Sequence, residues 1–412
     1  MHFLIYLISA IIGLFLLYTH WHRFKAFNFY QGRHKIVICL SKKRCNQLTP
    51  LQSRAISNQR LRLAFGIDNA FTSHEEARVN QFVAQAKGLI NLTPIAWNRL
   101  SEIAHKAVQT SIENETANGH GEIRIRVMDL IQALTLRIVL HVLFSMEEET
   151  LNDLHDSRLI KLATEINTTW IASKMETTLT PFENNTRLQE ALLDIFTFTH
   201  DLSPQNNPQN LILPGFETMW RIVLCMFIET GYKTGLRHPE WRSQIAAFAC
   251  TPSKAVFTER VGIDKVSVEH LVNEALRLYP PTKRIYRAFQ FDGSIVSKGE
   301  ATDIEGSHTS PIIWGSEAMS FEPRRWETLT RTQRHAFMPF GIKPFICPAQ
   351  SVFGPRIIGL IVGALFGELG EGWTLRSIGS DGNELCSEVT LSNGRDSFDS
   401  LYLIYGGGSP LF

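Results

Sequence analysis

The spacing of hydrophobic residues along the chain predicts a mainly helical protein. Apolar side chains recur at helical spacing between about Gln59 and Ala107, and the pattern is interrupted at Asn91–Pro94, where Asn, Thr and Pro favour a loop. Further helices are predicted over Val127–Phe144, Leu188–Leu202, Leu211–Tyr232, Val266–Leu278 and Ser351–Leu369. We therefore expect helices to form most of the core.

Strand signals are short and lie mainly towards the two ends of the chain. The β-branched run Arg33–Leu40 predicts a strand, and Val389–Tyr405 is typical of a hairpin that turns at Asn393-Gly394. The section Ile285–Arg334 is predicted to be irregular, with short strands. The pattern as a whole predicts a mainly α fold with small β-sheets, without internal repeats.

The N-terminal segment has the composition of a membrane anchor. Phe3–Tyr18 carries no charge and approaches the ~20 residues that a bilayer span requires. Aromatic residues and then Arg23 and Lys25 follow it, as at a membrane interface with the positive side in the cytosol. A cleaved signal peptide is the alternative, but no basic region precedes the run and no small-residue cleavage pattern follows it. We predict an anchor at 1–25 in the lipid bilayer and one catalytic domain at 26–412.

Composition and missing motifs exclude several functions. The 412 residues carry a formal net charge of +1, which gives no basic surface for nucleic acid. The 6 cysteines include no C-x-x-C pair and are too sparse for a disulfide scaffold, so most are expected to be reduced and inert. The sequence contains no G-x-S-x-G, Walker or H-E-x-x-H motif, so hydrolase and nucleotide-binding functions have little support.

One predicted helix contains a candidate buried ion pair. Glu274 and Arg277 are three residues apart in LVNEALRLYPP, so their side chains are neighbours on a helix. Such pairs are common on solvated helix faces. Here the flanking residues are apolar and predict burial, where charges must be paired.

Two further motifs flank this helix in the sequence. The segment Pro214-Gly-Phe-Glu-Thr218 places Pro and Gly inside an apolar helical run, where they loosen the hydrogen-bond ladder. By itself it also fits the first turn of a helix. The segment Phe337–Ala349 places Cys347 in a loop rich in Pro and Phe. A buried structural thiol is the usual interpretation of such a cysteine taken alone.

The three motifs in this order resemble the cytochrome P450 family, particularly its fungal members. The resemblance extends from about Leu211 to Leu369 and is poor before it. It implies a haem b cofactor with Cys347 as the axial metal ligand and Phe340 in the conserved loop. We expect the next helix to begin near Cys347, so that its N-terminus favours the negative sulfur. Arg325, in the segment FEPRRW, would complete the pair formed by Glu274 and Arg277 as a structural unit.

The resemblance also implies roles for Glu217 and Thr218. They would lie on a long helix over the haem, where an acid and a hydroxyl can relay protons as catalytic groups.

Two positions depart from the family pattern. Phe345 stands where a cation usually meets a haem propionate, and Lys343 replaces a glycine. Lys343 and Arg287 are the candidates to supply that cofactor-binding charge, and weak haem retention is expected if neither does.

The implied activity is insertion of one oxygen atom from O2 into an apolar small molecule, in secondary or lipid metabolism. Electrons would come from an NADPH-dependent reductase at the endoplasmic reticulum membrane. Two alternatives remain. One is a haem-thiolate isomerase or dehydratase that needs no reductase. The other is a catalytically silent member that binds a ligand or a partner, which the departures at Lys343 and Phe345 and the shortened N-terminal half suggest.

Overall fold

The computed structural model describes residues 47–118, 123–197, 201–262, 264–291, 294–378 and 390–406. The predicted anchor, with Phe3–Tyr18, and the predicted strand Arg33–Leu40 lie outside these residues. The membrane-anchor and first-strand predictions therefore stay predictions.

Helices make up most of the described chain. In chain order they are α1 Pro50–Ser57, α2 Gln59–Phe65, α3 Glu76–Leu89, α4 Pro94–Asn118, α5 Val127–Phe144, α6 Glu148–Asp153, α7 Asp156–Ala172, α8 Thr186–Ile195, α9 Gln209–Phe216, α10 Met219–Tyr232, α11 Pro239–Cys250, α12 Lys254–Thr258, α13 Val268–Leu278, α14 Ile304–His308, α15 Pro311–Trp314, α16 Arg331–Ala336 and α17 Phe353–Glu368. The strands are β1 Ile123–Arg126, β2 Arg284–Phe291, β3 Ser294–Asp303, β4 Trp373–Ser377 and β5 Leu401–Tyr405. The mainly α fold class with small sheets is confirmed.

The most apolar helices form the centre of the molecule. Helix α5 has the predicted bounds, and nearly all of its side chains are buried, including polar Gln132 and Thr135. Two helical stretches, Val127–Phe144 and Gln209–Arg237, are long and apolar enough to cross a membrane. Both are 78% buried inside the protein, as expected for core helices that are hydrophobic on all sides.

Two predicted helices differ from those observed. The helix expected over Leu211–Tyr232 is split into α9 and α10 at Glu217 and Thr218, and Pro214 lies inside α9. The helix expected over Leu188–Leu202 ends at Ile195. The break between α9 and α10 falls at the motif in which Pro and Gly weaken the helical hydrogen bonds.

The sheets correct two strand predictions. Strands β1, β5 and β4 form an antiparallel sheet in which β5 is central. The predicted hairpin over Val389–Tyr405 is therefore wrong, because β5 pairs with β1 and β4 rather than with the residues before Asn393. The section after Ile285 is less irregular than predicted, because β2 and β3 pair as an antiparallel hairpin of 8-residue and 10-residue strands.

Candidate active site: the Cys347 loop and its surroundings

A buried ion network lies at the C-terminal end of helix α13. Glu274 and Arg277 are fully buried and form two hydrogen bonds, of 2.7 and 3.0 Å. Arg325 donates its Nε to the same carboxylate at 2.9 Å, and the indole of Trp326 donates to it at 3.0 Å. The backbone N–H of Glu322 donates to it as well, at 3.0 Å. Two cations and two neutral donors therefore satisfy a single buried carboxylate, which offsets the cost of removing it from water.

Arg277 also ties this network to the chain that follows β3. Its Nη1 donates to the carbonyl oxygens of His308 and Ala318 at 2.7 and 2.6 Å. Its Nη2 donates to the carbonyl of Ser320 at 3.1 Å. The guanidinium therefore holds three backbone carbonyls on two segments as well as Glu274, and this accounts for a charged side chain with no exposed surface.

His308 connects the ion network to the cysteine loop. Its Nε2 accepts a hydrogen bond from the backbone N–H of Met338 at 2.8 Å, so the ring proton lies on Nδ1 and is donated to the carbonyl of Arg277 at 3.1 Å. Burial, and then the positive charge of Arg277, lower the pKa of His308 to about 3. The ring is therefore neutral at pH 7. Sequence analysis missed His308, because no local pattern shows which segments it joins.

The cysteine loop is a compact turn held by backbone hydrogen bonds. Gly341 has a φ of 82°, a left-handed conformation that favours glycine. The N–H of Cys347 donates to the carbonyl of Phe340 at 2.9 Å, which closes the turn. Behind the loop, Gly354 lies so close that an added Cβ would be 2.6 Å from Cε1 of Phe340. The sequence therefore specifies both a tight turn and a close approach by helix α17.

Cys347 is an exposed residue of the loop. Neighbouring atoms nonetheless desolvate its thiol and raise the pKa of the thiol, and the backbone N–H of Ala349 opposes this by donating to the sulfur. Helix α17 begins only at Phe353, after a short 3-10 turn at Pro348–Gln350. The prediction that a helix begins near Cys347 holds for this 3-10 turn, of which Cys347 is the N-cap residue, but the α-helix itself begins later. The sulfur therefore meets the N-terminus of the short turn, through the N–H of Ala349, and not that of α17.

Two buried arginines pack against Phe345, one of the phenylalanines of this loop. The guanidinium of Arg54 lies 3.8 Å from the ring centroid of Phe345, and that of Arg287 lies 5.3 Å from it. Helix α1 is fixed on strand β2 by a 2.6 Å hydrogen bond from Ser53 to the carbonyl of Ala288, which brings the two arginines together.

Arg54 and Arg287 have no acidic partner in the part of the chain that the structure describes. Nε and Nη2 of Arg54 are buried there without a hydrogen-bond partner. Burial lowers the pKa of each arginine to about 10, and the charge of Arg287 contributes to the shift of Arg54. Lys343, the other predicted cation, is exposed on the loop. Two buried guanidinium groups without a carboxylate partner among the described residues suit an anion, which would share them with the ring of Phe345. Arg54 was not predicted.

Glu217 and Thr218 lie at the break between α9 and α10. Glu217 is buried and forms an ion pair with Arg395. Burial raises the pKa of Glu217, whereas the charges of Arg395 and Arg221 lower it. Thr218 is half-buried. The contacts of Glu217 run towards the C-terminal loop that carries Arg395, rather than to the Cys347 loop.

Comparisons with known proteins agree with this architecture. No family model matches the chain. It is 36% identical over 95 residues to cytochrome P450 52A8 of Candida tropicalis, 19% of this chain and 18% of that protein. It is 34% identical over 101 residues to putative cytochrome P450 CYP13A1 of Caenorhabditis elegans, 21% of this chain and 20% of that protein. It is 35% identical over 91 residues to cytokinin hydroxylase of Arabidopsis thaliana, 21% of this chain and 18% of that protein.

A solved structure extends the likeness over most of the chain. The heme domain of a cytochrome P450DA mutant superposes with a TM-score of 0.54 at 16% identity, over 90% of this chain and 84% of that one. The protein therefore has the fold of a cytochrome P450 heme domain. Shorter segments of the chain are also similar in sequence to cytochromes P450. The sequence matches come from a yeast, a nematode and a plant, and each spans about a fifth of the relative's length, so they do not single out fungal members.

Proposed function

We propose that the protein is a haem monooxygenase that inserts one oxygen atom from O2 into an apolar organic substrate. The observation that carries this is the Cys347 loop, which presents a reduced cysteine at its surface and has two buried arginines packed against Phe345. A cysteine thiolate can hold a haem iron, and paired cations can bind its two propionate carboxylates. The sequence matches to cytochromes P450 support the same proposal.

The residues present fit haem b. Cys347 would supply the axial thiolate, and Phe340 would pack beside it in the loop. Arg54 and Arg287 would bind the propionates, because both are buried near the loop without a carboxylate partner in the described ranges. Bound haem would supply the redox chemistry that activates O2. Lys343 remains a proposed auxiliary contact, since an exposed lysine can reach an anion at the edge of the site.

Glu217 and Thr218 are proposed to deliver protons. A carboxyl group whose pKa is raised by burial can hold and release a proton nearer neutral pH than an exposed one. The ion pair with Arg395 keeps the carboxylate in one position. Glu274, Arg277 and Arg325 are proposed as the structural unit that holds the cysteine loop in place, acting through His308.

We also propose the membrane setting predicted from sequence. Residues 1–25 would anchor the protein in the endoplasmic reticulum membrane through Phe3–Tyr18, with residues 26–412 as the cytosolic catalytic domain. The support is the uncharged run followed by Arg23 and Lys25. An NADPH-dependent reductase in the same membrane would supply electrons, and the substrate would belong to secondary or lipid metabolism.

Reductase dependence tests this activity against the alternatives. Membranes containing the protein and a reductase would be incubated with NADPH, n-dodecane and isotopically heavy O2. We expect one heavy oxygen atom in the alcohol product, and no product when the reductase is omitted. An isomerase or dehydratase cannot act on an alkane. It would be favoured if n-dodecane gave no product and an alkyl hydroperoxide, which already carries its oxygen, were converted without reductase and NADPH.

A silent family member is the second candidate, and one observation favours it. The ring of Phe345 contacts the guanidinium groups of both Arg54 and Arg287, so it competes with an anion for the same two cations. If the ring keeps its position, haem retention is weak. Replacement of Phe345 by His tests this: haem content should rise in Phe345→His if the ring limits binding, and stay unchanged if Arg54 and Arg287 already suffice.

A further inference from the structure

A histidine and two carboxylates converge at the start of helix α11. Nδ1 of His238 lies 3.1 Å from Oδ2 of Asp264 and 3.5 Å from Oε1 of Glu240. This nitrogen and one oxygen of each carboxylate all lie within 4.8 Å of one another. The three atoms are therefore close enough for a single ion to contact all of them.

Trp241 fixes the orientation of the imidazole. His238 directly precedes the first residue of α11, and its ring stacks on that of Trp241 with a centroid distance of 4.2 Å and an interplanar angle of 6°. Trp241 is itself buried in the core. Because the imidazole lies flat against a buried indole, its rotation is restricted and Nδ1 stays directed towards the two carboxylates.

Helix α11 also holds the turn that carries Asp264. Nε2 of Gln244, a side chain of α11, donates to the carbonyl of Glu259 at 3.1 Å and to the carbonyl of Val266 at 2.9 Å. Both ends of the turn are therefore attached to the helix whose start carries the other two groups. The backbone sets the spacing of the three groups in this way.

The charges at this point favour a cation. Two carboxylates lie beside one imidazole nitrogen, and that nitrogen can offer at most one proton to them. Arg324 acts on the cluster from another segment: its Nη1 lies 3.6 Å from Oδ1 of Asp264, the carboxylate oxygen that does not face His238. Two carboxylates against one guanidinium leave one negative charge unbalanced, and a divalent cation would neutralise it.

We propose that His238, Glu240 and Asp264 bind Zn²⁺, which joins the start of α11 to the turn before α13. Zinc accepts imidazole nitrogen and carboxylate oxygen, and water completes the site because all three residues are half-buried. Neighbouring ligand atoms of a tetrahedral zinc site lie about 3.3–3.5 Å apart. The observed distances of 3.1 and 3.5 Å match this spacing. Magnesium and calcium prefer six or more oxygen ligands, so the set favours zinc over them.

The bound ion stabilises the segment that leads into the Glu274 network. Asp264 lies on the turn before α13, the helix that carries Glu274. Arg324, which contacts the same aspartate, directly precedes Arg325 in the chain. Zinc binds the folded protein and loses its assembled ligands on unfolding, so it raises the melting temperature.

Calorimetric titration with zinc chloride tests the site. The purified protein is first treated with a chelator and dialysed. We expect the affinity of one bound zinc ion to fall at least about tenfold in His238→Gln and in Asp264→Asn, since even the loss of a group that only orients a metal ligand costs that much. His74→Gln and Glu259→Gln, at exposed positions, are the matched controls and should bind zinc like wild type. Identical titrations of wild type and the two site variants would overturn the proposal.

Thermal unfolding separates a metal site from a set of ion pairs. Wild type and His238→Gln are melted in zinc chloride and in chelator. We expect zinc to raise the melting temperature of wild type and to leave that of His238→Gln unchanged. If the three residues form ion pairs only, wild type melts at the same temperature in both solutions, which contradicts the zinc site. Neither measurement depends on haem, so failure of the proposed monooxygenase activity would leave this result unaffected.

Discussion

Glu274 accepts hydrogen bonds from two buried cations, so its removal leaves both charges unpaired in a low-dielectric interior. We expect Glu274→Gln to lower the free energy of unfolding by about 3–5 kcal/mol, the usual cost of breaking a buried pair. Urea denaturation measures this. Glu269→Gln, in the first turn of the same helix and partly exposed, is the control and should change stability by less than about 1 kcal/mol. Equal effects of the two would mean that the network contributes little.

His308 makes stability depend on pH. Its pKa is lowered from 6.5 to about 3 in the folded protein. The unfolded chain therefore binds a proton that the folded protein does not, and this contribution to stability is present above pH 6.5 and is lost as pH falls towards 3. We expect the urea midpoint to fall less steeply between pH 7 and pH 4 in His308→Gln than in wild type. His74→Gln, at an exposed position, should retain the wild-type slope.

Arg54 is expected to matter for haem retention rather than for folding. It is buried with unpartnered nitrogens, so Arg54→Gln removes an unfavourable buried charge from the haem-free protein. We predict a lower ratio of haem to protein after purification, with unchanged or slightly higher stability of the haem-free form. Arg324→Gln is a control of the same type, because Arg324 is an exposed arginine on the surface. A normal haem ratio in Arg54→Gln would exclude Arg54 as a propionate ligand.

The elements that the sequence predicts best are those with a strong local signal. Helix α5 was predicted with its observed bounds, because a mostly apolar run of this length has few ways to be buried other than as a core helix. The hairpin at Asn393-Gly394 was wrong because tertiary contacts decide that segment. Asn393 is buried and donates its Nδ2 to the carbonyl of Pro280 at 3.1 Å. A turn signal in the sequence cannot reveal such a distant partner.

The cysteine loop depends on its contact with helix α17. A Cβ at Gly354 would lie 2.6 Å from Cε1 of Phe340 and 2.9 Å from the carbonyl oxygen of Ala349. We expect Gly354→Ala to displace the loop and to cost about 1–3 kcal/mol, as overpacking usually does. Gly370→Ala is the control, because an added Cβ there meets nothing within 4 Å. Denaturation and haem content of both variants measure the effect, and identical behaviour would contradict the close packing.

At the scale of the whole molecule, the sequence motifs predicted the fold class but only part of the candidate site. Glu274, Arg277 and Arg325 could be chosen because their spacing is local or fixed by a motif. Arg54 could not be chosen, since it lies more than two hundred residues before the cysteine loop and reaches it only through the packing of α1 on β2. Arg395 was missed for the same reason, because the ion pair with Glu217 joins two distant segments.

The central claim is that Cys347 is the axial ligand of a bound haem. The carbon monoxide difference spectrum of the reduced protein, with wild type beside Cys347→Ala, tests it most directly. We predict a Soret band typical of a thiolate ligand in wild type, and its loss in the variant. Wild-type protein without haem, or a band that the substitution leaves unchanged, would contradict the claim.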